Sequence, residues 1–328
     1  MPASINYKKN IYKNFFCIAP GVWGMSYFFT NIFMILNPFD GNWVLVDTGY
    51  KRTAAKIKKM AAQLFGYGHM PSAIILTHAH FDHSGGLHEL CNDWKVPVYA
   101  HADELCFLVN NASYPPPDLT LAGGIFSLVP GLFPCNGMEL KGVSKIPLNG
   151  IPGLPQWNYI NTPGHSPGHI SLYRESDGVL LAGDALCNVN RHSLIGLFKK
   201  NTLSGPSKFF TYNWHLAKQS IKKLAHLRPA IIASSHGKPL KGNRTISELN
   251  SLLKNFNNKA VPVNGVYTKD PAVINKSGII YVTAQHNPSK KIIMKFLSLI
   301  ALAGVVMVWQ HKRRDHRKLQ QILAYEIW

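Results

Sequence analysis

Cysteine is sparse in this chain. Five residues, Cys17, Cys91, Cys106, Cys135 and Cys187, are scattered through 328 positions without a CxxC pair. That argues against a zinc knuckle or a disulfide framework. Acidic side chains are also few: 16 Asp and Glu against 35 Lys and Arg, a formal charge of +19. Such an excess attracts anions of any kind, whether nucleic acid, anionic lipid or an acidic substrate. A solvated basic surface without a partner accounts for it as well. The opening Met1-Pro2-Ala3-Ser4, running into Lys8-Lys9, holds no apolar stretch of the secretory kind. With unpaired thiols, this sets the expectation of a cytoplasmic catalytic domain. No repeat of fixed period is visible, and no RNA-binding module is recognisable.

What is present is a chain 46% hydrophobic with 26 Gly and 21 Pro, the balance of a loop-rich α/β enzyme. Trp43-Val44-Leu45-Val46-Asp47 reads as a buried strand delivering a carboxylate into a turn. From Lys51 to Phe65 the apolar residues Ala54, Ile57, Ala61 and Leu64 keep helical spacing. Ala73 to Thr77 is a second buried strand, Val96 to Ala100 a third, and a helix is expected from about Ala102. This first half alternates β and α. Residues 111–155 are rich in Pro and Gly and read as a long loop, of the sort that walls or covers an active site. Strands resume at Trp157 to Asn161, Ile170 to Arg174 and Val179 to Ala182. A helix burying Trp214, Ala217, Ile221 and Leu224 then precedes a strand at Ala230 to Ser234.

Three parts are expected: a catalytic domain over 1–255, an extension or linker over 256–290, and an apolar, basic-flanked tail over 291–328. Within the tail, 292–309 is an apolar run of about 18 residues, at the short end of what spans a bilayer. Its flanks, Lys290-Lys291 and Lys312-Arg313-Arg314, and Trp309 favour membrane contact. A buried or interfacial helix is the other reading, and the orientation stays open.

The chemistry concentrates in Thr77-His78-Ala79-His80-Phe81-Asp82-His83-Ser84-Gly85-Gly86, three imidazoles and a carboxylate directly after an apolar strand. On an irregular loop His78 and His80 converge on one ion while Asp82 and His83 reach a second. Neutral imidazole with carboxylate suits zinc or a similar borderline cation. Three further strand ends present His165 (in Thr162-Pro163-Gly164-His165), Asp184 (in Leu181-Ala182-Gly183-Asp184) and His236 (in Ser234-Ser235-His236-Gly237). The carboxyl ends of strands are where α/β sheets bind ligands.

At these residues the sequence resembles the metallo-β-lactamase superfamily over roughly 20–255, its HxHxDH pattern being the specific feature. The resemblance implies a four-layered αβ/βα sandwich with the site at one edge, to which the apolar run beyond it adds a C-terminal helical tail. It further implies that His78, His80 and His165 bind a first ion, that Asp82, His83 and His236 bind a second, and that Asp184 bridges them. Two Zn2+ are expected, with Mn or Fe as alternatives. Asp47 matches the family's early buried acid, which supports the metal loop; His88, His101 and His169 match no ligand position.

The implied enzyme is a zinc-dependent hydrolase. A bridging hydroxide attacks a small-molecule carbonyl substrate (ester, thioester or lactone), with Asp82 and Asp184 as the catalytic carboxylates, Asp82 as proton acceptor and Asp184 shared by the two ions. The run from Thr162 to His169 looks like the thioesterase, lactonase and glyoxalase II-like branches. Cys187 stands where acyl-homoserine lactonases carry Tyr, and no basic pair for glutathione is evident. His80 replaces the acid of flavodiiron proteins. The alternatives are a phosphodiesterase or nuclease of the same fold, drawing on the basic charge though nucleic acid is not the expected partner, and a mononuclear iron dioxygenase.

Overall fold

The computed structural model describes residues 15–121, 134–188, 202–284 and 298. The chain divides into two units, 1–284 and 285–328, and every described strand belongs to the first. Apart from Ser298, the expected tail and the 292–309 segment lie outside the described residues. Among those that are described, no helix is long and apolar enough to cross a membrane.

The strands and helices run β1 Phe15–Ala19, β2 Val22–Tyr27, β3 Thr30–Leu36, β4 Trp43–Val46, α1 Ala54–Phe65, β5 Ala73–Ile75, α2 Phe81–Ser84, α3 Leu87–Trp94, β6 Val98–Ala100, α4 Leu105–Val109 and β7 Val143–Lys145. The second half runs β8 Trp157–Asn161, β9 Ile170–Arg174, β10 Val179–Gly183, α5 Trp214–His226, β11 Ile231–Ser234, β12 Leu240–Lys241, α6 Arg244–Lys254, α7 Phe256–Lys259, α8 Val266–Lys269, β13 Val273–Asn275 and β14 Gly278–Tyr281. Strands β1 to β7 form one sheet in sequence order, antiparallel up to β4 and parallel beyond it. A second sheet has the order β12-β11-β10-β9-β8, and β13 pairs with β14.

Side-chain alternation turns these sheets into layers. Val22, Phe33, Ile35, Val44 and Val46 point from the first sheet toward Trp157, Ile170, Leu172, Val179 and Leu181 of the second, which builds the central core. Their neighbours Trp23, Met25, Met34 and Leu45 point the other way, onto Ile57 and Met60 of α1 and Leu87 and Leu90 of α3. Likewise Leu180, Ala182 and Ile232 back onto Ile221 and Leu224 of α5 and Leu249 and Leu252 of α6. A period of two in strands buried on both faces gives helix, sheet, sheet, helix: the αβ/βα sandwich.

Helix α5 starts where Asn213 accepts a hydrogen bond from the Leu216 N–H at 3.0 Å, satisfying a donor that the first turn leaves open. Its buried Trp214, Ala217, Ile221 and Leu224 are the stripe expected from the sequence. In the stretch read as one long loop, β7 adds a parallel edge strand beside β6. Its three residues carry no buried alternation, so the pattern could not reveal it. Beyond residue 255, Phe256 and Ala260 join the core beneath α5 and α6, and Tyr267 is buried with Tyr212 and Ala272.

Candidate metal centre

The parallel pairs β4·β5 and β10·β11 end on the same edge of the sandwich, and their loops carry the chemistry. Asp47 follows β4, and His78 and His80 follow β5. Asp82 and His83 lie in α2, Asp184 follows β10 and His236 follows β11. His165 arrives on the β8–β9 turn. Gly164 there has φ +130°, and a Cβ on it would stand 2.4 Å from the Ala217 nitrogen. Only glycine allows that turn to lie against α5.

All seven candidates from the sequence come together, and all are buried. His80 Nδ1 lies 3.0 Å from both His78 Nε2 and His165 Nε2. Asp184 Oδ2 is 3.1 Å from His236 Nε2 and 3.4 Å from His165 Nε2, while its Oδ1 is 3.4 Å from His83 Nε2. Asp82 Oδ2 stands 3.7 Å from both His83 Nε2 and His236 Nε2. Three groups have ligand atoms within 4.8 Å of one another: His78, His80 and His165; His78, His83 and Asp184; Asp82, His83 and His236.

Two features show that this donor set fits cations. Buried His83 Nε2 and Asp184 Oδ1 face each other without a hydrogen-bond partner, an arrangement polar atoms avoid unless something else binds them. The three imidazole nitrogens of the first group crowd together, though protons can satisfy only some of those contacts. Protonation follows the same logic. Burial holds His78 and His165 well below the ordinary imidazole range and His80 at about 4, so these rings are neutral. Burial also opposes charge on His83, but Asp82, Asp47 and Asp184 outweigh it and lift this ring well above that range. Burial favours a proton on Asp184, yet His236 and His83 hold it well below the carboxylate range. A cation among Asp82, His83 and Asp184 would take over the balancing that a proton on His83 performs.

A surrounding shell fixes these rings. Asp47, at φ +63°, accepts from the Thr77 N–H and hydroxyl at 2.8 Å each, and its Oδ2 lies 2.9 Å from His83 Nδ1. His236 Nδ1 lies 2.6 Å from the Phe29 carbonyl, and the Thr30 hydroxyl donates to Asp82 Oδ2 at 3.3 Å. Asn31 ties the same hairpin to the carbonyls of Ser234 and Gly237.

Sequence reading left His169 without a role and did not single out Glu104 or Tyr114. Buried His169 accepts the Asp184 backbone N–H on Nε2 at 2.9 Å, and its Nδ1 lies 2.8 Å from the Thr162 hydroxyl. Glu104, fully buried, accepts from Ala79, Ser166, Gly168 and Tyr114, and burial pushes its carboxyl up to about 7. A lone acid in a helix-like stretch carries no spacing signal; only its place after a strand at the site's edge could have drawn notice.

An aromatic rim adjoins the cluster. Phe28, 72% exposed, meets Tyr50, which meets Phe81, which meets Phe210, whose ring centroid is 6.0 Å from that of His80. Tyr114 also lies against His80, with ring centroids 4.4 Å apart.

A family model described as the metallo-beta-lactamase superfamily matches residues 26–236, a span containing all seven clustered side chains. The probable metallo-hydrolase YflN of Bacillus subtilis is 38% identical over 238 residues, covering 71% of this chain and 90% of that protein. The probable metallo-hydrolase YybB of the same organism is 31% identical over 209 residues, covering 63% and 81%. A hydroxyacylglutathione hydrolase of Alkalilimnicola ehrlichii is 35% identical over 149 residues, covering 44% of this chain and 46% of that one.

Proposed function

The chain belongs to the metallo-beta-lactamase superfamily, and from that premise we propose that it is a binuclear metal-dependent hydrolase cleaving a carbonyl substrate: an ester, thioester or lactone. The observation that carries this reading is Asp184, whose two oxygens face His165 and His236 on one side and His83 on the other.

In this reading His78, His80 and His165 hold one cation, Asp82, His83 and His236 hold the other, and Asp184 serves both. Imidazole and carboxylate donors favour zinc, with manganese or iron as substitutes. When bound, two such ions supply hydroxide from water at neutral pH and polarise the scissile carbonyl. The protein's own part is orientation and proton handling. Asp47 and the Phe29 carbonyl fix the rings of His83 and His236, and ring orientation sets how well each imidazole donates. Asp82 Oδ2, held by the Thr30 hydroxyl, is placed to take the proton released as the nucleophile forms. The rim of Phe28, Tyr50, Phe81 and Phe210 offers an apolar surface that suits an apolar substituent beside the carbonyl. Relatives named as hydroxyacylglutathione hydrolases support the thioester member of this class.

The test is hydrolysis by metal-quantified protein of a panel of thioesters, lactones, aryl esters, a phosphodiester and a chromogenic β-lactam, with and without chelator. Carbonyl cleavage, lost on chelation and restored by Zn2+, is expected with about two ions per chain. Dominant phosphodiester cleavage, or a single bound iron, overturns the reading.

A further inference from the structure

The three-imidazole group and the Asp82 group differ in how negative charge reaches them. Around the second stand Asp82 itself and Asp47, which touches the far nitrogen of His83. The first has three imidazole rings and, among its own contacts, only a share of Asp184. One further buried carboxylate lies close by, and the reaction does not use it.

Glu104 sits where β6 turns into α4, at the end of a 3₁₀ turn, Ala102–Glu104, that follows the strand. It is fully buried, and among the described residues it forms no ion pair with Lys, Arg or His. Its two oxygens divide their hydrogen bonds between the two loops that carry the first group. Oε2 accepts the N–H of Ala79, the residue between His78 and His80, at 2.9 Å, and the Tyr114 hydroxyl at 3.1 Å. Oε1 accepts the Ser166 hydroxyl and the Gly168 N–H, both at 2.7 Å, on the turn that presents His165. Two of the four donors are backbone N–H groups, one on each oxygen, and these cannot turn round to accept. An ionised carboxylate accepts all four; an amide, whose nitrogen cannot accept, leaves one backbone N–H facing another donor. A buried anion without a cationic side chain calls for compensation nearby. The cation expected among His78, His80 and His165 would provide it.

We propose that Glu104 is the positioning residue of the first cation. It sets the spacing between the His78–His80 loop and the His165 turn, and it gives the three-imidazole group the negative charge that Asp47 gives the His83 group. The proposal rests on the binuclear reading, since it needs a cation at the first group. It assigns Glu104 no contact with substrate.

The experiment measures two Zn2+ dissociation constants by competition with a chromophoric chelator for the wild type, Glu104→Gln, Asp47→Asn and the double variant. Far-UV circular dichroism and thermal melts check the fold. Glu104→Gln should weaken one constant by about tenfold to 100-fold, the usual loss when a partner behind a metal ligand is removed. Asp47→Asn should weaken the other, and the double variant should show both losses independently. A merely structural Glu104 would lower the melting temperature and leave the ratio of the two constants unchanged, and that result overturns the proposal. So does a Glu104→Gln protein that binds both ions as tightly as wild type. If Glu104→Gln does not fold, Ser166→Ala, which removes one donor on the His165 side, should weaken the same constant by about threefold; no change there also overturns it. Failure of the wild type to bind two ions sinks the binuclear reading instead, so the two failures are distinguishable.

Discussion

The backbone N–H of Asp184 points at the ring of His169, donating to Nε2 at 2.9 Å, so a buried neutral imidazole holds the strand end that presents the central carboxylate. A proton on Nε2 would destroy this bond. Burial keeps the ring from charging until pH falls to about 3, against an ordinary 6.5. The unfolded chain therefore binds one more proton than the folded chain across that window. The contribution of His169 to stability is complete above pH 6.5 and drains away as pH falls. By pH 5 the loss reaches roughly 2 kcal/mol. Melts of metal-free wild type and His169→Gln should show a stability gap at pH 7.5 that narrows by this amount at pH 5. A gap independent of pH would assign the ring to packing alone.

Asp82 is buried, and its Oδ2 faces two imidazoles. Replacing it with Ala should lower kcat by about 10²- to 10⁴-fold, the range that a positioned proton acceptor contributes. The melting curve should stay cooperative. Hydrolysis at the wild-type rate would remove Asp82 from the mechanism.

Gly164→Ala tests how the β8–β9 turn places His165. An alanine at φ +130° carries roughly 1–3 kcal/mol of backbone strain, and its methyl would collide with Ala217 in α5. We expect a lower melting temperature together with weaker binding of one ion, read in the same chelator competition. Stability loss with both constants intact would show that the turn relaxes without moving the ring.

Phe28 is 72% exposed beside the cluster, and an apolar ring kept in water suits a substrate contact. Phe28→Ser should raise KM several-fold for long-chain acyl substrates, with little effect on acetyl esters. A uniform change across chain lengths would argue for a loop effect instead.

What could be read from the sequence came from repetition and adjacency. Three imidazoles and a carboxylate within six positions, and His165, Asp184 and His236 each at the end of an apolar run, name all seven side chains that converge. The strand at Ile170–Arg174 and the buried stripe of α5 were legible for the same reason: alternation and helical spacing are local. Glu104 was not, because its meaning lies in donors at Ala79 and Gly168, which only the fold brings to it. His169 was visible as a histidine, but its partner is a backbone N–H, which no residue type advertises. Strand β7 escaped because three edge residues, two of them exposed, carry no periodicity.

The contact between His236 and the Phe29 carbonyl joins residues 207 positions apart. A growing polypeptide therefore carries the dense His78–His83 motif long before the ring that completes the second group has been translated. Until then the Phe29 carbonyl has no imidazole to close upon. Contacts this distant form late, so cation capture at that group would finish folding rather than nucleate it, unlike a zinc finger. The ion would act as a seal on an assembled sandwich, and a chain short of its eleventh strand would leave the ribosome with its histidines in place and its second metal group unformed.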